Sequence, residues 1–185
     1  TYVQELVCAS AAGPGNQNVY AYVAVNSPGG ANTVTATWAV GSSFRPLLIV
    51  EVGGVSAAPL DGKSQQDQAS SANAGTDGMN SGNTAANTNA PVLLLGFGVN
   101  LFSSSAIAVG TGFTDQGVVW GISASTGRLE SKYLTTKQVN AATFTRGATV
   151  ESFTLALVFD ELATSTIYQP FGGQAGFFIN DLINQ

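Results

Sequence analysis

The chain contains no histidine, one cysteine and few charges, and each scarcity removes a class of answer. Without histidine, a Ser-His-Asp or Cys-His catalytic arrangement cannot exist. Cys8, standing alone, cannot close an internal disulfide, and with no histidine it has neither a partner base nor co-ligands for zinc. It reads as a small buried hydrophobe in a first strand, which leaves the redox compartment open. Charged residues make up 9% of the chain, and 6 basic against 11 acidic residues give a net charge of −5. The basic residues stand singly at Arg45, Lys63, Arg128, Lys132, Lys137 and Arg146, so no basic stripe forms from neighbours in sequence. Phosphate backbones are gripped by clustered Lys and Arg, so neither nucleic acid nor an anionic membrane surface is an expected partner.

Long apolar runs are absent too. The longest, 92–97, is strand-sized and far short of the roughly 18 residues that cross a bilayer as a helix, so a soluble chain is expected. Residues 1–7 carry no basic stretch and no long apolar core, so they do not read as a signal peptide. Thr1 reads as following a removed initiator methionine rather than a cleaved leader.

What is present is period two. The length of 185 residues suits one domain, since domains typically run to about 100–150 residues and all-β ones longer. In 33–40, Val34, Ala36, Trp38 and Val40 share one face and three threonines fill the other, as in a half-buried strand. In 152–162, Phe153, Leu155, Leu157 and Phe159 point one way and Thr154, Ala156 and Val158 the other, which predicts a central core strand. Further strands are predicted at 2–8, 19–25, 47–52, 92–99, 118–123 and 128–134, with weaker ones at 106–109 and 138–144. Turn chemistry bounds them at 26–30, Gly53-Gly54, Gly110-Thr111-Gly112 and Ser125-Thr126-Gly127. No segment has a sustained helical period, and a single turn is expected near 58–62. The pattern predicts an all-β chain, an antiparallel β-sandwich of jelly-roll or immunoglobulin-like type.

Residues 64–90 contain no Val, Ile, Leu, Phe, Tyr or Trp, so little there offsets the entropy of ordering. Polar edge strands at 65–71 and 79–87, with turns at Gly75 and Gly82, are preferred over a long structureless loop. After Leu162 the texture changes, which predicts a sandwich domain at 1–162 and a C-terminal arm at 163–185. The arm carries Phe171, Phe177, Phe178, Ile179 and Leu182, which need burial either in one more strand of the same domain or against a neighbouring subunit.

Candidate chemistry is sparse, and no catalytic residue is assigned. Asp160 and Glu161 fall on opposite faces of a strand, and Glu51 ends an apolar strand where it could serve as an acid of raised pKa or equally pair with Arg45 or reach solvent. Asp67 and Asp77 do not have the spacing of an EF-hand, and Gly110-Thr111-Gly112-Phe113 lacks the rest of a nucleotide fingerprint. No metal and no cofactor is expected. Tyr20 and Tyr22 share one face of a strand, opposite Val19, Ala21, Val23 and Val25. They are candidate glycan contacts, although burial in the core is the preferred account of them, as it is of Trp38 and Trp120.

The run Asn32-Thr33-Val34-Thr35-Ala36-Thr37-Trp38, then 46–55, Pro59-Leu60-Asp61, a Ser/Thr/Asn/Gly-rich stretch, Thr88-Asn89-Ala90-Pro91, 92–97, 110–114 and 153–159 together resemble β-sandwich domains of bacteriophage virion proteins and bacterial surface proteins. The resemblance spans 19–162. The interval between 8 and 19 and the tail from Ala163 depart from it. It implies a structural or adhesive role with no active site: an accessory virion protein (capsid decoration, head fibre or tail-associated) located in the virion. Its partners would be other virion proteins and copies of itself, with attachment through Phe171, Phe177, Phe178, Ile179 and Leu182. The competing reading is a carbohydrate-binding or adhesion module at the cell surface, touching a host glycan through Tyr20 and Tyr22. A glycan-cleaving enzyme using two carboxylates is a third, weaker class.

Overall fold

A computed structural model describes residues 2–9, 17–25, 33–37, 47–68, 78–101, 103–122, 125–147, 150–168 and 176–183. Among them there are only strands and irregular segments, so the chain is all-β, and every strand pair is antiparallel. The strands are β1 (Val3–Ala9), β2 (Gln17–Ala24), β3 (Leu47–Gln68), β4 (Gly78–Asn80), β5 (Val92–Leu101), β6 (Ile107–Val109), β7 (Thr114–Ile122), β8 (Ser125–Leu134), β9 (Thr143–Arg146), β10 (Ser152–Tyr168) and β11 (Gly176–Ile183). Eight form one sheet in the order β1-β2-β11-β3-β10-β5-β8-β7, and three form another in the order β4-β9-β6.

The central strands follow from their alternation. β5 is buried along its whole length. Leu93, Leu95, Phe97 and Val99 stand level with Phe159, Leu157, Leu155 and Phe153 of β10. These odd-numbered residues join Leu6, Cys8, Val19, Ala21, Val23, Val50 and Val52 in the larger core. The even-numbered residues Val92, Leu94, Ala156 and Val158 face the small sheet and pack with Met79, Ile107 and Phe144. Each Val, Leu, Ile, Met or Phe side chain among them removed from water contributes about 1.5–3 kcal/mol. Both faces of β5 and β10 are therefore covered, one by β1 and β2 and the other by the small sheet. Glycine makes the second contact close enough: a Cβ on Gly98 would lie 2.8 Å from the Phe144 ring, and one on Gly96 2.7 Å from Ala142.

β1 and β2 reach the larger core because the big sheet curls. β3 pairs along β10 from Gln68 opposite Ser152 to Gly62 opposite Val158, then slips register three times before Gly53 meets Thr166. Such bulges bend a strand without ending it, and Gly54 supplies a positive φ of 74° at the bend. Beyond the corner, Leu47 to Glu51 pair with β11. The curl brings β1 against β3 and β10: Lys63 Nζ lies 2.8 Å from Glu5 Oε2, and Gln65 Nε2 donates to the Val7 carbonyl.

Several expected boundaries shift. The strand expected to stop at Val52 runs on to Gln68, so the turn expected at 58–62 is bulged strand, held straight enough by β10 beside it. Ser125-Thr126-Gly127, expected as a turn, opens β8, because the Ser125 hydroxyl donates to Asn100 O at 2.8 Å and the backbone pairs with 99–101. Residues 33–37 alternate in exposure as expected but join no ladder, while Trp38 and Val40 lie outside the described residues. The side chain of Trp120 also lies outside them.

The polar tract has a construction of its own. The second half of β3, to Gln68, carries its first part along β10, and Gly82 turns with φ 73°; Gly75 lies outside the described residues. Residues 81–87 and 138–142 then run side by side with three residues of one against two of the other. The Ser81, Thr84 and Asn87 N–H groups donate to Ala142, Asn140 and Gln138 carbonyls at 3.0, 2.7 and 3.1 Å. In return, the N–H groups of Ala142, Asn140 and Gln138 donate to Ser81 Oγ, Thr84 Oγ1 and Asn87 Oδ1 at 3.0, 3.3 and 2.8 Å. Side-chain oxygens stand where a regular strand would offer carbonyls, so the buried backbone donors are satisfied without a standard ladder.

Candidate functional site

Alternation in β2 sends Val19, Ala21 and Val23 into the core and leaves Tyr20 and Tyr22 on the outer face, each half-buried. Their rings stack with centroids 6.3 Å apart and planes inclined by 30°. The Tyr22 hydroxyl donates to Gln4 Oε1 at 3.0 Å across the β1–β2 pair. Neither tyrosine belongs to either core cluster, so core burial does not account for them. Tyr2, which sequence reasoning passed over, joins the same face at 41% exposure. Its signal lay in the parity that Tyr2 shares with Gln4 at the start of a strand.

Tyr2, Tyr22 and Leu47 line an open groove of about 240 Å³ together with Val34, Thr35, Ala36 and Thr37. The alternation expected of 33–37 is put to use here: Val34 and Ala36 are the half-buried positions, and the threonines between them are exposed. Burial pushes both the Tyr2 and Tyr22 hydroxyls above the ordinary tyrosine range. No charged side chain is among these groove-lining residues. On the same face Leu47 and Ile49 are exposed, Ile49 standing level with Phe178 and Tyr22.

The expected assembly residues fall in two groups. Phe171 lies outside the described residues. Phe177, Phe178, Ile179 and Leu182 belong to β11, whose backbone pairs with β2 on one flank and β3 on the other, with Phe178 level with both Tyr22 and Ile49. β10 itself continues past Leu162 to Tyr168, so the described backbone of 163–185 lies within the large sheet.

Three carboxylates, Glu130, Asp61 and Asp115, accept backbone N–H groups. Glu130, fully buried on β8, accepts the Gly110 N–H at 2.9 Å on Oε2 and the Thr143 N–H at 3.0 Å on Oε1. It thereby fastens β9 and the turn after β6 to the large sheet. Burial lifts its carboxyl to about 7, against the pull of those two N–H groups and of Lys132. Nothing in the sequence marked it, because its neighbours in space are distant in the chain. Asp61 accepts from Thr88 N at 2.7 Å, Thr88 Oγ1 at 2.5 Å and Asn89 N at 3.2 Å, while Asn89 Nδ2 donates to Asp160 Oδ2 at 2.7 Å. Burial alone would raise Asp61, but these hydrogen bonds outweigh it and hold the group below the ordinary range; Asp160 is raised, by burial first and then by Asp61. The two acids anchor the bend at 88–91.

Cys8 is buried at 2% exposure, and burial first, then Asp67 and Glu151, push its thiol up to about 12, so it is an inert core residue. Glu51 is buried on β3, while Arg45 and Asp77 lie outside the described residues. Among the described residues, no group of three or more Cys, Asp or Glu side chains is placed to hold a metal ion, and no helix is long and apolar enough to cross a membrane. Comparison with known proteins finds no matching family model, no matching curated protein and no matching solved structure.

Proposed function

We propose that the chain is a non-enzymatic structural subunit, a β-sandwich of jelly-roll or immunoglobulin-like type that works by contact within a larger assembly. The observation that carries this reading is the outer face of β1, β2 and β3. There Tyr2, Leu47 and Ile49 stand exposed on the side of Tyr22, while the carboxylates Glu130 and Asp61 are occupied in holding backbone. Exposed large apolar side chains on one face are characteristic of an interaction surface. The resemblance in the sequence makes the assembly a bacteriophage particle, the chain an accessory virion protein of the capsid, head fibre or tail, and its partners other virion proteins and further copies of itself. The C-terminal segment, with Phe171, Phe177, Phe178, Ile179 and Leu182, is the assigned means of attachment.

Contacts built from apolar and backbone groups resist salt, because little of their energy is screened. Sedimentation of the purified chain over a dilution series in low and high salt tests this. Multimers that persist in high salt are expected, and a monomer at every concentration overturns the reading.

A second reading, a carbohydrate-binding module at a cell surface, draws on the groove. Stacked tyrosines beside threonine hydroxyls and without lining charge suit the apolar face and hydroxyl rim of a neutral host glycan. Glycan-array binding lost in Tyr22→Ala with unchanged thermal stability would favour it; no binding to any glycan removes it.

A further inference from the structure

The last strand in sequence is not at the edge of its sheet. β11 lies between β2 and β3, matched to β2 from Gly176 opposite Ala24 to Ile183 opposite Gln17, and to β3 from Gly176 opposite Glu51 to Asn180 opposite Leu47. β2 and β3 do not pair with each other. Taken without β11, they bound a slot one strand wide, lined on both flanks by backbone N–H and C=O groups that an added strand pairs with.

The route into that slot is unusual. β10 brings Tyr168 level with Glu51 on one flank of β3, and β11 begins with Gly176 level with the same Glu51 on the other flank. The two ends are therefore two strand spacings apart, about 10 Å, with β3 between them. Both strands run antiparallel to β3 and so parallel to each other. β11 starts at the level where β10 ends and carries on in the same direction, so residues 169–175 have no return along the sheet to make and need only link two ends on either side of β3. A terminal strand joined in this way exchanges with a neighbouring copy at low cost, since its contacts are identical in either arrangement.

We propose that β11 is exchanged between copies of this chain, the strand of one copy filling the slot between β2 and β3 of the next. The occupant is a second copy because the slot already matches this chain's own 176–183 over eight register positions on the β2 flank. The proposal rests on the assembly reading and gives it a mechanism: the segment assigned to attachment acts by adding a strand. If each slot receives the strand of a different neighbour, the contact is head-to-tail and gives rings or filaments; if two copies trade strands, it gives a closed dimer.

Register partners supply the test. Leu47→Cys and Asn180→Cys are made in separate, differently tagged full-length chains and co-expressed. Cys8 is left in place because it is buried. Neither chain can form the bond within itself, so oxidation is expected to give a disulfide-linked pair carrying both tags, absent when either variant is oxidised alone. The same is expected for Gln17→Cys with Ile183→Cys on the β2 flank, which covers the case in which the first pair does not fold. Chains carrying both cysteines of a pair are expected to give linked multimers, a ladder from head-to-tail exchange or a dimer from a closed trade. If they close only within single chains and no mixed-tag product appears, exchange is overturned. Light scattering on the same samples separates the two claims: multimers without linked chains leave the assembly reading standing, and monomers remove both.

Discussion

Between β5 and β10 the backbones pair residue for residue and both faces are apolar; between 81–87 and 138–142 three residues run against two, and side-chain oxygens complete the pairing. The first region is fixed mainly by how much surface it removes from water, the second by where Ser81, Thr84 and Asn87 place single oxygen atoms. The first is buried along the paired stretch; in the second Ser81, Thr84, Asn87, Asn140 and Ala142 are buried while residues between them reach solvent; both leave the paired backbone donors satisfied. They therefore differ in what a substitution removes. In the ladder it is volume, and the hydrogen bonds survive. In the seam it is an acceptor, and a buried donor is left with nothing.

The largest test of this contrast is Phe153→Ala. Phe153 is fully buried in the larger core, and truncation is expected to cost about 3–5 kcal/mol in urea unfolding. A cost below 1 kcal/mol would show that the ladder, not burial, holds the centre. Asn87→Ala comes next. It strips the acceptor from the Gln138 N–H and from Asn140 Nδ2, as well as the donor to Asn89 O, and is expected to cost about 1–3 kcal/mol. Asn87→Asp keeps the Oδ1 acceptor and is expected to recover part of that loss. Equal losses in both variants would mean the amide donor matters more than the acceptor.

Glu130 sharpens the comparison by placing an ionisable group where the two sheets meet. Its carboxyl titrates at about 7 when folded, above its ordinary 4.5, because burial disfavours the charge. The stability it contributes is therefore complete below about pH 4.5 and lost as pH rises through about 7. Chemical melts at pH 5 and pH 8 should show a smaller difference for Glu130→Gln than for the parent. The variant should also be weaker at pH 5, since an amide offers one acceptor where Gly110 and Thr143 need two. An unchanged difference would show that burial does not govern this group. The smallest effect is expected of Lys63→Ala. Its ion pair with Glu5 is exposed, and surface pairs are worth about 0–1 kcal/mol, less in salt. A loss above 2 kcal/mol would make the β1 contact a principal fastening.

The legibility of these regions in sequence follows the same division. Alternation exposes β5, β10 and the two-sided split of β2, because burial of every second residue leaves a periodic trace. It also places Tyr20 and Tyr22 on one outward face. Periodicity does not show whether an extended segment finds a partner, so 33–37 keeps its alternation without a ladder. Nor does it show that a bulge rather than a turn crosses 58–62, since that depends on β10, almost a hundred residues later in the chain. In the seam, Ser81, Thr84 and Asn87 recur every third residue, a spacing that belongs to neither strand nor helix and is meaningful only beside 138–142. Glu130 and the Asp61–Asn89–Asp160 contacts join residues remote in sequence, and no local pattern precedes them.

β3 and β10 each pass through the corner of the large sheet and lend hydrogen bonds on both sides of it. Stripping either strand from one side leaves its continuation on the other without a support, so neither side has an independent melting equilibrium. Loss of structure is then a single cooperative event, with calorimetric and van't Hoff enthalpies in agreement.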